Sequence, residues 1–356
     1  MSERVTTQDI ANLVGVSQST VSMILSGSSR TSFSAETIKK VTDAAAQLNY
    51  MPRKRHIEKS SSDVIAVFAP TPGNPYYSTL VQSLENEAHS NGFSVLVCNT
   101  YYDRGTELAY VDLISSIPFI GVIFTYQPMN QERIRQISLT TPVVVISDTP
   151  DCSGMNAVSL NSFAAGAQIA EHLLSLGHRR IALVTTQLEN NILRKRRLEG
   201  MVQTVEETRA ELLIQETDVN VHYEQYKMNL EYSVGYELTK KICADSSITA
   251  YVGINDMVAY GVMDALLDNG YLIPKDKSVC GFDNIFPSRF HNISLTTVDS
   301  FLTSKGHDAF EMLKSLLTKG RTNTMYAIHQ IEYKPKLIVR NSSGQAKMQI
   351  SLQEKK

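Results

Sequence analysis

The chain has 356 residues, 42% of them hydrophobic, and a formal charge of −2 at pH 7. Domains usually run about 100–200 residues, so two or three are expected, with ample apolar material for their cores. The near-neutral total excludes a uniformly basic or acidic protein, but the charge is uneven. Residues 1–62 hold eight Lys and Arg against five Asp and Glu, which is +3; the remainder holds 26 against 31, which is −5. A basic head on an acidic body implies that only the head meets a polyanion. A solvated surface has a similar charge density, so the motifs must decide.

In chain order, the first element is TTQDIANLVGVSQSTVSMILSG, residues 6–27. Thr6 is placed to cap a first helix, with Asp9 in the reciprocal capping-box position. Ile10, Leu13 and Val14 form its apolar face, Ala11 is small enough for a second helix to cross closely, and Gly15 supplies a left-handed turn. Ser17 caps the second helix. Its Val21, Ile24 and Leu25 point inward, leaving Gln18, Ser19, Ser22 and Met23 outward. A third helix, capped by Ser34, carries Ile38, Val41, Ala45 and Leu48 on one face. The spacing of Ala11, Gly15 and Val21 is that of a helix-turn-helix. An ordinary three-helix bundle would not need all of these features together.

Residues 52–63, PRKRHIEKSSSD, have the composition of a linker. Beyond them, short apolar runs alternate with amphipathic segments. Strands are expected at 64–69, 93–99, 121–125, 143–147, 157–160, 181–185, 250–254, 278–282 and 295–298. Helices are expected at 77–91, 162–176, 233–244, 256–269 and 303–317. Near-continuous apolar strands separated by helices indicate parallel sheets covered on both faces. There are too many units for one sheet, so two doubly wound lobes with a cleft between them are expected, and ligands of such folds bind beyond the carboxyl ends of the strands. The organisation reads as a helix-turn-helix domain at 1–51, a linker at 52–63, a two-lobed body at 64–340 and a polar tail at 341–356 without assigned structure.

Cys98, Cys152, Cys243 and Cys280 are far apart and form no CxxC pair. Buried reduced thiols in the cytoplasm are the reading. The start MSERVTTQDI has no apolar signal core, and no run approaches the roughly 18 apolar residues of a membrane helix.

From Val5 to about Arg340 the chain resembles the lactose/galactose-repressor family of bacterial transcription regulators. The resemblance rests on GVSQSTVSMIL (15–25) and LNYMP (48–52) in the head. In the body it rests on PGNPYYSTL (72–80), LLSLGHRRIALV (173–184), RLEG (197–200), GINDMVAYGV (253–262) and CGFDN (280–284). The body also resembles periplasmic sugar-binding proteins. The resemblance implies a homodimer whose paired heads read a palindromic operator, with a small-molecule effector in the body changing DNA affinity.

By that resemblance Gln18, Ser19 and Met23 match base-reading positions, and Ser17, Thr20, Ser22, Ser34 and Thr37 match phosphate contacts, which set position and not preference. Gln can pair bidentately with adenine. Met23 stands where an arginine is common; it either touches an apolar group such as a thymine methyl or touches nothing. The linker departs from the family's Ala-Arg-x-Leu hinge helix: Lys59 occupies the leucine position and Ile57 is the one apolar wedge. Arg53, Lys54 and Arg55 either compensate in the minor groove or form a basic tether.

In the body, Arg197, Asn255 and Asp283 match effector ligands, and Asn161 matches a position usually held by Asp. Tyr76, Tyr126 and Phe286 are candidates to line the cleft and stack on a ring. Asn99, Tyr126 and Asp148 mark strand ends of the first lobe. Arg197 and Asp283 are expected to hold a ligand from opposite sides; the alternatives are a surface pair for Arg197 and a turn shaped by Asp283 and Asn284. The basic run 194–197 reads as a solvated face plus one cleft arginine. Planar Asp, Asn and Arg groups suit sugar hydroxyls, and with no Trp in the chain, Tyr and Phe must meet the C–H faces. The effector is read as a sugar or sugar phosphate. A regulator of the same fold controlled by a phosphorylated carrier protein is the alternative.

No GxSxG, GxxxxGK[ST], GxGxxG or HExxH motif is present, and the eight His show no metal-ligand spacing. An enzyme is not expected, nor a cofactor, a metal or a membrane partner.

Overall fold

A computed structural model describes residues 6–26, 33–48, 64–117, 119–147, 154–188, 191–217, 229–290, 292–318 and 328–347. The chain divides into two compact units, 1–61 and 62–356.

The first unit contains α1 (Thr7–Val14), α2 (Gln18–Ser26) and α3 (Ala35–Gln47). The capping box at α1 is present: Asp9 N donates to Thr6 Oγ1 at 3.4 Å and Thr6 N donates to Asp9 Oδ2 at 2.7 Å. The Thr6 hydroxyl, and then its backbone N–H, hold the Asp9 carboxyl below its usual range. Gly15 has φ 74° and donates its N–H to Ala11 O, ending α1 in a left-handed turn. Ile10, Ala11, Val21, Ile24 and Val41 are buried together, with Val14, Leu25, Ile38 and Leu48 packed around them. Leu13 departs from expectation: it is 54% exposed. Residues 10, 11 and 14 share a stripe facing the other helices, and Leu13 lies about 100° from its centre at 100° per residue.

The second unit holds two six-stranded sheets. The first lobe comprises β1 (Val64–Ala69), α4 (Pro75–Ser90), β2 (Ser94–Asn99), α5 (Arg104–Ser116), β3 (Gly121–Phe124), α6 (Gln131–Ser138), β4 (Val143–Ile146) and β5 (Asn156–Leu160). The second comprises α7 (Ser162–Ser175), β6 (Arg180–Thr185), α8 (Ile192–Glu206), β7 (Glu211–Glu216), α9 (Leu230–Ile242), β8 (Ala250–Gly253), α10 (Asp256–Asp268), β9 (Ser278–Asp283) and β10 (Thr296–Asp299). The chain then returns to the first lobe with α11 (Leu302–Thr318) and β11 (Gln330–Tyr333), and ends in the second with β12 (Lys336–Ile338).

Strand orders are β11-β5-β4-β3-β1-β2 and β12-β10-β9-β8-β6-β7. All pairs are parallel except β10–β12. Each lobe therefore reverses its winding between its first and third strands, where such folds form their crevice. Along β1, Ile65 and Val67 join the core under α4 and α11, whereas Ala66 and Phe68 join the core on the opposite face. This period of two explains why the strand reads as one unbroken apolar run.

Three segments link the lobes: 160–162, 299–302 and 333–336. At the second, Phe301 stacks on Tyr333 of the third, with centroids 5.1 Å apart. At the first, Asn161 N donates to Tyr333 O at 3.2 Å.

The expected tail is corrected over residues 341–347. Ser342 is fully buried; its Oγ donates to Val279 O at 2.6 Å and accepts from Thr296 N at 2.8 Å. Gly344 N donates to Ser278 Oγ, and Ala346 N to Leu176 O. A polar segment docks here because its partners are the backbone ends of β9 and β10 and not an apolar core. Residues 348–356 lie outside the described residues.

Candidate functional site

Two places gather candidate residues, one in each unit. In the head, Gln18, Ser19, Ser22 and Met23 are exposed on one face of α2. Gln18 Nε2 donates to Thr7 Oγ1 at 3.0 Å, which aligns the amide along the start of α1. Ser17 Oγ accepts from Thr20 N at 3.1 Å and bonds the Ser19 and Thr20 hydroxyls at 2.7 and 2.8 Å. Ser34 caps α3 likewise, accepting from Thr37 N at 3.2 Å. Of the residues expected at phosphates, Ser17, Thr20, Ser34 and Thr37 lie at the N-termini of α2 and α3, where free N–H groups and the helix dipole favour an anion, and Ser22 lies mid-helix on the exposed face of α2. Arg53, Lys54, Arg55 and Ile57 lie outside the described residues.

In the body, residues that meet across the lobes follow the carboxyl ends of β1, β2, β6 and β7. Asn74 accepts Tyr76 N at 2.8 Å and so caps α4; its Nδ2 donates to Glu231 Oε2 of the second lobe at 2.5 Å. Glu231 Oε1 in turn accepts from Arg194 Nη2, while Arg194 Nη1 donates to the Thr186 hydroxyl. The Tyr77 and Tyr102 hydroxyls share a hydrogen bond, and the Tyr102 ring meets Tyr126 edge-on at 5.7 Å. Burial pushes the Tyr102 hydroxyl up to about 12 and Tyr77 well above its usual value. For Arg194, burial pulls the guanidinium down, but the Glu231 charge beside it leaves it above its ordinary value.

Behind this layer Arg197, 2% exposed, donates from Nη2 to Asp283 Oδ1 at 3.0 Å and from Nη1 to Ile254 O at 2.8 Å, and lies 4.7 Å over the Phe282 ring. Arg197 and Asp283 belong to one lobe, so the expectation that they grip a ligand from opposite sides is corrected: they pair with each other. Asp283 has φ 113° and Asn284 φ 53°. Both conformations are sparsely populated by residues other than glycine, and they fall at the carboxyl end of β9. Asn284 Oδ1 accepts from Arg340 Nη2 at 2.5 Å, so the turn and the ion pair are both present.

The other candidates divide. Tyr76 is 7% exposed and edges onto Tyr77. Tyr126 donates to Glu107 Oε2 at 2.6 Å, which occupies its hydroxyl and leaves its ring to support Tyr102. Asn99 ends β2 with its Oδ1 buried and without a hydrogen-bond partner. Asn255 caps α10 through Val258 N at 2.9 Å, and Asn161 caps α7 through Ala164 N at 2.9 Å at a lobe crossing. Phe286 is not brought to the cluster. It is 69% exposed on a 3-10 turn (Phe286–Arg289) that leads away from β9, and its ring meets Phe290 at 5.5 Å. Asp148 lies outside the described residues.

Arg194, Glu231, Asn74, Tyr77 and Tyr102 were not singled out by sequence. The run 194–197 turns two arginines inward and not one, Arg197 buried and Arg194 half-buried, because residues three apart on α8 face the same side. The available signal was the pair of tyrosine doublets, 76–77 and 101–102, in the segments that follow two predicted strands. Asp256, also missed, is fully buried; it accepts from Ser288 Oγ and Thr297 Oγ1, each at 2.6 Å, and from Ile285 N at 3.1 Å. Burial, and then the Asp283 charge, push its carboxyl up. Among the described residues no cluster suits a metal ion, and no helix is long and apolar enough to cross a membrane.

An N-terminal helix-turn-helix on a two-lobed parallel-sheet body defines a DNA-binding transcriptional regulator. Residues 6–53 match the bacterial regulatory proteins of the lacI family, and residues 170–343 match the periplasmic binding protein-like domain. The chain thus joins a lacI-family DNA-binding head to a periplasmic binding protein-like body. Over 342 residues it is 28% identical to the HTH-type transcriptional repressor PurR of Actinobacillus pleuropneumoniae, covering 95% of this chain and 98% of that one. The lac repressor dimer bound to operator and the anti-inducer ONPF shares the fold with a TM-score of 0.67 and 23% identity, over 96% and 100% of the two chains. A LacI family regulator of Enterococcus faecium with bound ribose does so at 0.68 and 22%, over 80% and 100%.

Proposed function

We propose that this regulator is a cytoplasmic, homodimeric repressor, not an enzyme, whose operator affinity is set by a small, uncharged, sugar-like effector between the lobes of its body. The observation that carries this is a pair of ion pairs, Arg194–Glu231, half-buried, and Arg197–Asp283, buried. They offer donors and acceptors in equal charge, beside Tyr76, Tyr77 and Tyr102. An uncharged polyol can exchange hydrogen bonds with such a site and lay its C–H face on the rings. The buried acceptor Asn99 Oδ1 supports the same reading, since a ligand hydroxyl would satisfy it. A sugar phosphate would add about two negative charges to a site whose cations are already neutralised. Ribose in the Enterococcus faecium regulator is a relative's ligand of this class. These groups converge between the lobes, which favours a small effector over a carrier protein.

In the head, Gln18, Ser19 and Met23 read base edges, and Ser17, Thr20, Ser22, Ser34 and Thr37 hold phosphates. Arg53, Lys54, Arg55 and Ile57 approach the minor groove. Two heads are needed for a palindromic operator. The outer face of the second lobe, where Phe286, Phe290 and Leu267 are 69%, 56% and 39% exposed, is the candidate dimer surface.

Calorimetry of the full chain against free pentoses and hexoses and their phosphates tests the effector class. A free sugar is expected to bind, and binding confined to the phosphates would contradict it. Sedimentation with operator present tests the dimer: Phe290→Asp is expected to shift it to monomer, and a monomeric wild type would refute it.

A further inference from the structure

The two walls of the cleft touch through a hydrogen bond whose chemistry resembles that of the ligand the cleft would take. We propose that Asn74, Glu231 and Arg194 form a latch that holds the lobes together without effector, the Asn74 amide serving as a built-in substitute for a ligand hydroxyl. Asn74 is 9% exposed and spans both lobes with one amide: Oδ1 accepts Tyr76 N at 2.8 Å to cap α4, and Nδ2 donates to Glu231 Oε2 at 2.5 Å. Glu231 is held in turn by Arg194, so its position at the start of α9 is fixed from the second lobe. The Tyr77–Tyr102 bond lies on the first-lobe side of the same cluster, and the Arg194 charge reaches both hydroxyls.

A hydrogen bond to a carboxylate in a mostly dry site is among the stronger ones. An effector must displace the Asn74 amide from Glu231, so it gains only its surplus over the latch. Apparent affinity falls by the fraction of molecules held latched. The proposal rests on the reading of the cleft as the effector site only for its link to DNA; the closure itself is a property of the chain alone.

The polarity of the bond provides the test. Asn74→Asp keeps the acceptor that caps α4 but sets a carboxylate against Glu231. Adding Glu231→Gln returns a donor–acceptor pair with its direction reversed and restores the total charge beside Arg194. Amide hydrogen exchange of the ligand-free full chain is followed in the first turns of α4 and α9. Asn74→Asp is expected to raise exchange in both by about 10–100-fold, the equivalent of one such bond, and to leave β1 and β6 unchanged. The double substitution is expected to return both turns towards wild type. Unchanged exchange at α9 in Asn74→Asp, or a double variant no better protected than the single, overturns the latch. If exchange responds while operator affinity stays constant, the latch stands and the effector reading fails.

Discussion

Arg197 and Asp283 are bonded at 3.0 Å inside one lobe, with side chains 2% and 7% exposed. Removing one member of a buried pair leaves the other desolvated without its counter-charge, which costs about 3–5 kcal/mol. Arg197→Ala therefore destabilises the body as well as altering the cleft. Adding Asp283→Asn removes the stranded charge and recovers part of the loss. Denaturant unfolding of the three proteins checks this; a single variant as stable as wild type contradicts it.

The crossing of α7 over α8 positions Arg197 beside Asp283, and two glycines permit it. A Cβ on Gly200 would lie 2.0 Å from Phe163 O, and one on Gly166 would lie 1.9 Å from Arg197 O. Neither contact is with a flexible side chain, so the helices must separate. Gly200→Ala is expected to cost about 1–3 kcal/mol or more and to weaken effector binding together with stability. A neutral effect in thermal unfolding would show that the crossing is looser than described.

The outward face of α2 separates specificity from stability. Gln18 is exposed and its bond to Thr7 lies at the surface, so Gln18→Ala changes unfolding little and relaxes base preference, a bidentate contact discriminating by about 1–3 kcal/mol. Ser17→Ala removes the α2 cap and lowers head stability by about 1 kcal/mol. Thr20→Ala is expected to weaken binding to all sequences alike. Selection from random DNA with each variant reads these effects; an unchanged motif for Gln18→Ala removes it from the base-reading set.

The fold was legible where one physical signal dominated. In the head, Thr6, Ala11, Gly15, Ser17 and Val21 each constrain the backbone or the crossing, and together they admit one arrangement. In the body, the central strands are unbroken apolar runs because both faces are covered. Strand β7, ELLIQE, was missed because it is an edge strand bounded by charges, and β11 and β12 because pairing with β5 and β10, not local pattern, makes them strands. Of the candidate site, Arg197 and Asp283 were legible as candidates because they stand within motifs, though not their pairing with each other. The site was not legible at Glu231 and Asn74, whose contact joins positions 157 residues apart. The docked segment 341–347 escaped for the same reason: its polar residues bond a strand's backbone.

That docking has a pH dependence. His178 is buried, its Nδ1 bonded to Thr249 Oγ1 at 2.8 Å and its Nε2 within 3.0 Å of both Ser278 Oγ and Gly344 O. Burial pulls its pKa below 6.5. The unfolded chain therefore takes up a proton at His178 before the native chain does as pH falls through 6.5. Stability contributed by this site is complete above 6.5 and is lost below it, down to the depressed native value. Unfolding at pH 7.5 and 5.5 is expected to show the loss, and His178→Gln to reduce it; an equal loss in the variant assigns it elsewhere.

The central claim is that one chain couples a ligand in the cleft to DNA at the head. The direct measurement is operator affinity of the full chain at fixed salt, with and without a saturating free sugar that calorimetry shows to bind. The coupling in such regulators is typically about 1–3 kcal/mol, so affinity should change by about 5–150-fold, and the Arg197→Ala, Asp283→Asn double variant should lose the response. A sugar that saturates the body and leaves operator affinity unchanged would contradict the account.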